Sequence, residues 1–166
     1  MTTQLTSPAS VGRSSVLADH LGADSLVKDT LMVLAGASLV GVLAQVSVPM
    51  WPVPITGQTL GVLLVGAILG ARRGALSLLS YMLLGLAGMP WFSAASGGLA
   101  ALAKPSFGYI LGFIPAAWLI GKLSERAWDR HFWLSLAAFG GATLIPFIVG
   151  IPYMWAVLRI GGVSMS

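Results

Sequence analysis

Two short runs of uncharged residues hold the side chains of this chain best placed for chemistry. The first, Val48 to Gln58, sets Thr56 and Gln58 beside Trp51 and the prolines Pro49, Pro52 and Pro54. The second, Met89 to Gly98, sets Ser93 and Ser96 beside Trp91 and Phe92 and ends on Gly97 and Gly98. Hydroxyls and an amide next to rigid aromatic surface make a concave, mostly apolar small-molecule site, in which a few neutral groups fix orientation. A plainer reading fits the same residues: Trp51 and Trp91 as anchors at a membrane–water interface, the glycines as turn formers.

Groups that make or break bonds are not gathered anywhere. His20 and His131 suit solvated loop positions better than metal ligation. The acids and histidines fall in different segments from the loop serines, so a Ser/His/Asp triad has no members. Gly121-Lys122 runs into Leu123 and lacks the earlier glycine of a phosphate-binding loop. With no cysteine, thiolate chemistry and disulfides are excluded. The chain is therefore expected not to be an enzyme and to need no metal or other cofactor, and any pumping must draw its energy from a partner.

The elements that carry these residues are written in the charge pattern. Residues 30–71, 74–103, 105–121 and 132–158 contain no Asp, Glu, Lys or Arg. An ionisable side chain at the bilayer centre costs about 2.5 to 3.5 kcal/mol on insertion scales, so such stretches belong in lipid. Composition agrees, since 8% charged residues is far below the roughly 25% of soluble domains, and the mean hydropathy is +0.90. The pI near 10.0 could suggest nucleic acid. However, the basic residues flank apolar spans instead of lining one polar face, so no nucleic-acid partner is expected.

Five spans follow: about Thr30–Val48, Thr56–Ala71, Gly74–Gly88, Phe107–Leu123 and Phe132–Leu158. Prolines close the first, Arg72 and Arg73 mark a tight turn after the second, and Gly88-Met89-Pro90 ends the third. The middle spans are shorter than the roughly 20 residues that cross the hydrocarbon, so the connecting segments are expected to dip into the membrane. The expected fold is an all-α integral membrane bundle, with residues 1–28 a cytoplasmic polar tail and residues 29–166 a transmembrane substrate-binding domain. With the N-terminus cytoplasmic, Arg13, Lys28, Arg72, Arg73, Lys122, Arg126 and Arg130 lie inside and Lys104 and Arg159 outside, a positive-inside bias. Both Pro/Gly-rich connections then face out, as does the chain's last residue, behind a weakly polar tail that looks unfinished.

Ala37, Gly41 and Ala44 fall at i, i+4 and i+7 on the first span, a smooth stripe that permits close helix approach. It either docks a partner helix or seals the protein's own bundle; the partner is the expectation carried forward.

Several of these runs have a counterpart. Pro52 to Ala75 (PVPITGQTLGVLLVGAILGARRGA), Tyr81 to Phe92 (YMLLGLAGMPWF), Ser96 to Leu102 (SGGLAAL) and Gly108 to Phe113 (GYILGF) resemble, in order and spacing, the BioY family, the biotin-binding S-components of energy-coupling-factor (ECF) transporters. The resemblance covers about residues 30–160. It implies a six-helix, multi-pass protein of the bacterial cell membrane that captures biotin from outside. Such a protein docks on a transmembrane T-component coupled to two cytoplasmic ATPase subunits, and transport involves toppling of the S-component in the bilayer. This chain has Ala94-Ala95 where the family carries Gly-Gly, and Lys104 to Tyr109 where the family carries Gly-Pro-Thr-Gly-Gly-Tyr. It also stops before the family's Pro-Gly-Asp-x-x-Lys element and sixth helix, whose Asp and Lys contact the ligand, so a truncated, five-helix form is expected.

On that resemblance the ligand-binding residues are Thr56, Gln58, Trp91, Ser96, Gly97, Gly98 and Tyr109, with Lys104 for the biotin carboxylate. Two other functions keep the same residues: an S-component for a different small vitamin, and a non-transporting membrane scaffold.

Overall fold

The computed structural model describes residues 26–51, 53–126 and 132–161. The segment before Leu26, expected as a cytoplasmic tail, together with both histidines, Arg13, Arg130, Pro52 and residues 162–166, lies outside them. Four helices carry the fold: α1 (Leu26–Gln45), α2 (Gln58–Leu86), α3 (Phe107–Ser124) and α4 (Phe132–Ile160). Between α1 and α2 a two-residue antiparallel ribbon pairs Ser47 with Thr56 and Val48 with Ile55. Between α2 and α3 two short 3₁₀ turns, Ser93–Ala95 and Leu99–Ala103, fold a compact cap.

Among the described residues four helices, not the expected five, are long and apolar enough to cross a membrane. The correction has a local cause. The expected second and third spans form one helical element, α2, which doubles back at Gly70 without a loop. Gly70 has φ 81° and ψ 178°, a conformation essentially reserved for glycine. Gln58, near one end of α2, hydrogen-bonds Tyr81 near the other at 2.6 Å, which a straight helix would hold far apart. Beyond the reversal the two arms stack closely, since a Cβ on Gly74 would stand 3.0 Å from Gly66 Cα.

The reversal exposes the N–H of Ala71 as a helix-terminal donor, and Glu125 beyond the end of α3 accepts it through Oε1 at 2.9 Å. Beside it, Arg73 donates to Asp29 of α1 from Nε at 2.9 Å and pairs with the same oxygen through Nη2. The reversal, Asp29 and Glu125 therefore lie at one end of the bundle. The ribbon, the 3₁₀ cap, the start of α3 and the end of α4 lie at the other, where the Tyr153 hydroxyl donates to the Leu102 carbonyl at 2.6 Å.

The core sits between α1, the two arms of α2 and α3, around Val40, Val62, Val65, Leu78, Tyr81, Phe92, Phe107 and Phe113. Outward-facing Leu31, Leu64, Leu83, Leu144, Ile148 and Trp155 are exposed, as bilayer-facing positions are. Prolines inside α3 (Pro115) and α4 (Pro146 and Pro152) are tolerated as in other membrane helices, and Gly112 lets α3 approach the backbone at Pro146.

Small residues on α1 do not form a free docking stripe. Ala37, Gly41 and Ala44 are all buried in the protein itself, and a Cβ on Gly41 would stand 3.0 Å from Cε3 of Trp91. The expectation of a partner-facing stripe is overturned because this face seats the protein's own tryptophan.

Candidate ligand cavity

Prolines start the site. Pro49 cannot continue α1 and biases Val48 to extended backbone, so the chain leaves the helix as a strand and returns as Ile55–Thr56. Between the strands, Met50, Trp51, Val53 and Pro54 rise over a cavity of about 580 Å³, within the range of small-molecule sites. Trp51 is 72% exposed and forms its rim. The opposite wall comes from Ser106 just before α3, Tyr109 and Phe113 of α3, and Pro146, Phe147, Ile151 and Met154 of α4. The Tyr109 and Phe147 rings meet edge to face at 5.5 Å and 89°.

Among the lining residues the polar side chains are Thr56, Gln58, Thr59, Ser106 and Tyr109, set in a wall of apolar carbon; none is formally charged. Gln58, only 6% exposed, is the most deeply set of the five. The Thr56 hydroxyl donates to Gln58 Oε1 at 2.9 Å and accepts from the Gln58 backbone N–H at 3.4 Å. Gln58 Nε2 donates to the Tyr81 phenol oxygen at 2.6 Å. The phenol in turn donates to the Trp91 carbonyl at 3.2 Å, and the Trp91 indole donates to the Tyr81 carbonyl at 3.0 Å. Gln45 completes the chain of bonds: its Nε2 donates to the carbonyls of Gly41, Trp91 and Phe92, and its Oε1 accepts from the Ala95 N–H at 3.0 Å. Buried polar groups are expensive unless paired, and this network leaves no buried side-chain N or O atom unpaired among the described residues.

The structure brings Thr56, Gln58 and Tyr109 together and leaves the other expected ligand residues outside the cavity wall. Trp91 lies against Gly41, with its ring 5.4 Å from that of Tyr81. Ser96 turns inward to its own loop: its hydroxyl donates to the Ser93 carbonyl at 2.9 Å, and its backbone bridges Phe92. Gly97 lies against the Met89 carbonyl, where a side chain would collide. Gly98, at φ 82°, donates its N–H to the Gly85 carbonyl at 2.7 Å. Lys104 is exposed. These residues shape the cap between α2 and α3, whereas the cavity is walled by the ribbon, the start of α2, and α3 with α4.

Sequence reasoning missed Gln45 and Tyr81. The available signal was their polarity inside otherwise apolar spans, where a hydrogen-bonding side chain serves as glue between segments. Their partners lie 46 and 10 residues away at Trp91, a pairing that local spacing does not reveal.

Comparison with known proteins adds a family. A profile described as the BioY family matches residues 10–166. The biotin transporter BioY of Rhizobium etli is 39% identical over 128 residues, covering 73% of this chain and 68% of that protein. The biotin transporter BioY of Rhodobacter capsulatus is 39% identical over 137 residues, covering 80% and 71%. Among solved structures, the S-component for biotin from an ECF-type ABC transporter, a crystal structure at 2.1 Å, matches with a TM-score of 0.59 and 25% identity. That match covers 83% of this chain and 74% of that one.

Proposed function

Because this chain belongs to the BioY family, we propose that it is the substrate-capturing membrane component of an ECF-type importer for biotin, a transport protein and not an enzyme. The observation that carries the reading to a place in the molecule is the cavity under the ribbon, with half-buried Thr56 bonded to buried Gln58 in an apolar wall. Biotin suits such a wall. Its ureido group exchanges hydrogen bonds with neutral partners, and its fused thioether ring packs against Tyr109, Phe113 and Phe147. Trp51 and the ribbon loop stand where an entering ligand passes.

The cavity end faces outward in this proposal. Arg72, Arg73, Lys122 and Arg126 gather at the reversal end of the bundle, while Lys104 and Arg159 lie at the cavity end, and cytoplasmic loops carry the excess of Lys and Arg. A transmembrane partner and two ATPase subunits on the cytoplasmic side then supply the energy, in keeping with the ECF-type transporter from which the matched S-component comes.

Equilibrium binding of labelled biotin to the purified protein tests the reading. Ser106→Trp, at a wall position just before α3, should fill the cavity and weaken binding at least about tenfold, the scale of 1.4 kcal/mol. Equal affinity in the two proteins would move the ligand elsewhere, and saturable binding of thiamine or riboflavin in place of biotin would overturn the ligand assignment.

A further inference from the structure

We infer that Tyr81, which does not line the cavity, decides which way Gln58 presents its amide and thereby makes the site a reader of N–H donors on the ligand. The inference rests on the proposal that biotin occupies this cavity, and it concerns how the site tells biotin from close analogues.

The direction of the hydrogen-bond chain follows from its far end. A backbone carbonyl can only accept, so the bond between the Tyr81 phenol and the Trp91 carbonyl must spend the phenol's single proton. The phenol oxygen is then left as an acceptor, and the group 2.6 Å from it must donate. Gln58 therefore turns its NH₂ toward Tyr81 and its Oε1 toward Thr56 and the cavity. Thr56 spends its own proton on that oxygen and receives the Gln58 backbone N–H. Where the pair meets the cavity, both oxygens have lone pairs to offer, and the Thr56 proton is already committed.

The opposite amide orientation is poorer by one bond. Tyr81 would donate to Gln58 Oε1 and the amide NH₂ to Thr56, which makes two side-chain bonds in place of three and withdraws the phenol from Trp91. Tyr81 is fully buried and wedged between the rings of Trp91 and Phe92, at 5.4 Å and 5.3 Å, so its hydroxyl has little freedom to seek another acceptor. A ligand that brings N–H groups to this pair is matched, whereas a ligand that brings only acceptors meets lone pairs with lone pairs. In biotin the ureido nitrogens are the N–H donors. Tyr81 is thus a positioning residue that sets specificity through Gln58.

The test compares biotin with its cyclic-carbonate analogue, in which oxygen replaces both ureido N–H groups, by equilibrium binding to purified wild type, Tyr81→Phe and Ser106→Trp. Wild type should prefer biotin by about tenfold or more, the scale of one or two well-made hydrogen bonds. Tyr81→Phe removes the phenol oxygen that holds the amide, and the preference should fall to within about threefold while the protein still binds the analogue. A preference unchanged in Tyr81→Phe would overturn the role of Tyr81. Wild type that binds the two ligands equally would overturn the inference without recourse to any variant, so the test survives a Tyr81→Phe protein that does not fold. Ser106→Trp separates the two levels. If it abolishes biotin binding while wild type shows no preference, the cavity is right and the donor reading is wrong; if it leaves biotin binding intact, the cavity assignment itself falls.

Discussion

Tyr81 and Trp91 are bonded reciprocally: the phenol of Tyr81 donates to the Trp91 carbonyl at 3.2 Å, and the indole of Trp91 donates to the Tyr81 carbonyl at 3.0 Å. Their rings lie 5.4 Å apart and tilted by 34°. The exchange pins the cap to the second arm of α2, and Gln45 pins it again from α1 through the Trp91 and Phe92 carbonyls. The cavity's polar floor is thus supported by residues that do not line it.

Within the floor, Gln58→Ala should weaken biotin binding by about 1 to 3 kcal/mol, because it leaves a ligand donor unpaired in a buried site. Thr56→Val should cost less, about 0.5 to 1.5 kcal/mol. Isothermal titration of the detergent-solubilised protein reads both. Wild-type affinity in Gln58→Ala would remove that residue from the site.

On α1, Gly41→Leu should damage the protein as a whole. A Cβ there would stand 3.0 Å from the Trp91 ring, closer than ordinary van der Waals contact, and overpacking of this kind costs about 1 to 3 kcal/mol or more. Thermal melting and biotin binding should fall together. A variant that melts normally and binds biotin, yet fails to co-purify with a membrane partner, would restore the partner-facing stripe.

At the reversal, Gly70→Ala should destabilise by about 1 to 3 kcal/mol, since φ 81° with ψ 178° is closed to a residue bearing a Cβ. The loss should appear as a lower melting temperature and lower yield. An unchanged melting temperature would mean that α2 turns at a different residue.

In the cap, Ala94 and Ala95 hold φ of 57° and 50°, the left-handed region that glycine occupies freely. For an L-residue this costs about 1 to 2 kcal/mol, against about 0.5 to 1 kcal/mol for the extra chain entropy of glycine. Ala94→Gly and Ala95→Gly should therefore each stabilise by about 0.5 to 1 kcal/mol, raising the melting temperature by a few degrees for the pair. A lower melting temperature in the double variant would contradict the backbone conformation.

Much of the helical layout was legible in the charge-free runs, because lipid excludes ionisable groups over a length that sequence displays directly. The first and last helices, the helix at Phe107 and the turn beside Arg72 all stand close to where charge and proline placed them. The helix count differs because the arms on either side of that turn join through Gly70 with no loop between them, so two expected spans form one helical element. The direction of the α1 stripe was not legible, because small residues suit a foreign helix and an indole ring from the same chain equally well. Of the site, Thr56 and Gln58 were visible as polar groups at a helix entrance. Ser96, Gly97 and Gly98 were equally conspicuous, but their polarity and small size serve the fold of the cap. Composition cannot tell a hydroxyl that meets a ligand from one that closes its own turn.

The doubling of α2 also has a mechanical side. Gln58 lies twelve residues before Gly70 and Tyr81 eleven after it, so the hairpin is a pair of nearly equal stiff arms joined at a hinge with no slack and clasped at their tips by a 2.6 Å bond. A push or tilt applied at the arginine-rich end, where Ala71 and Glu125 meet, travels along both arms and carries both ends of that bond together. The ribbon loop over the cavity has no such shaft beneath it. A ligand in this cavity would meet Gln58 fixed to the body of the protein through both arms, and Trp51 carried above it on the loop of a two-residue ribbon.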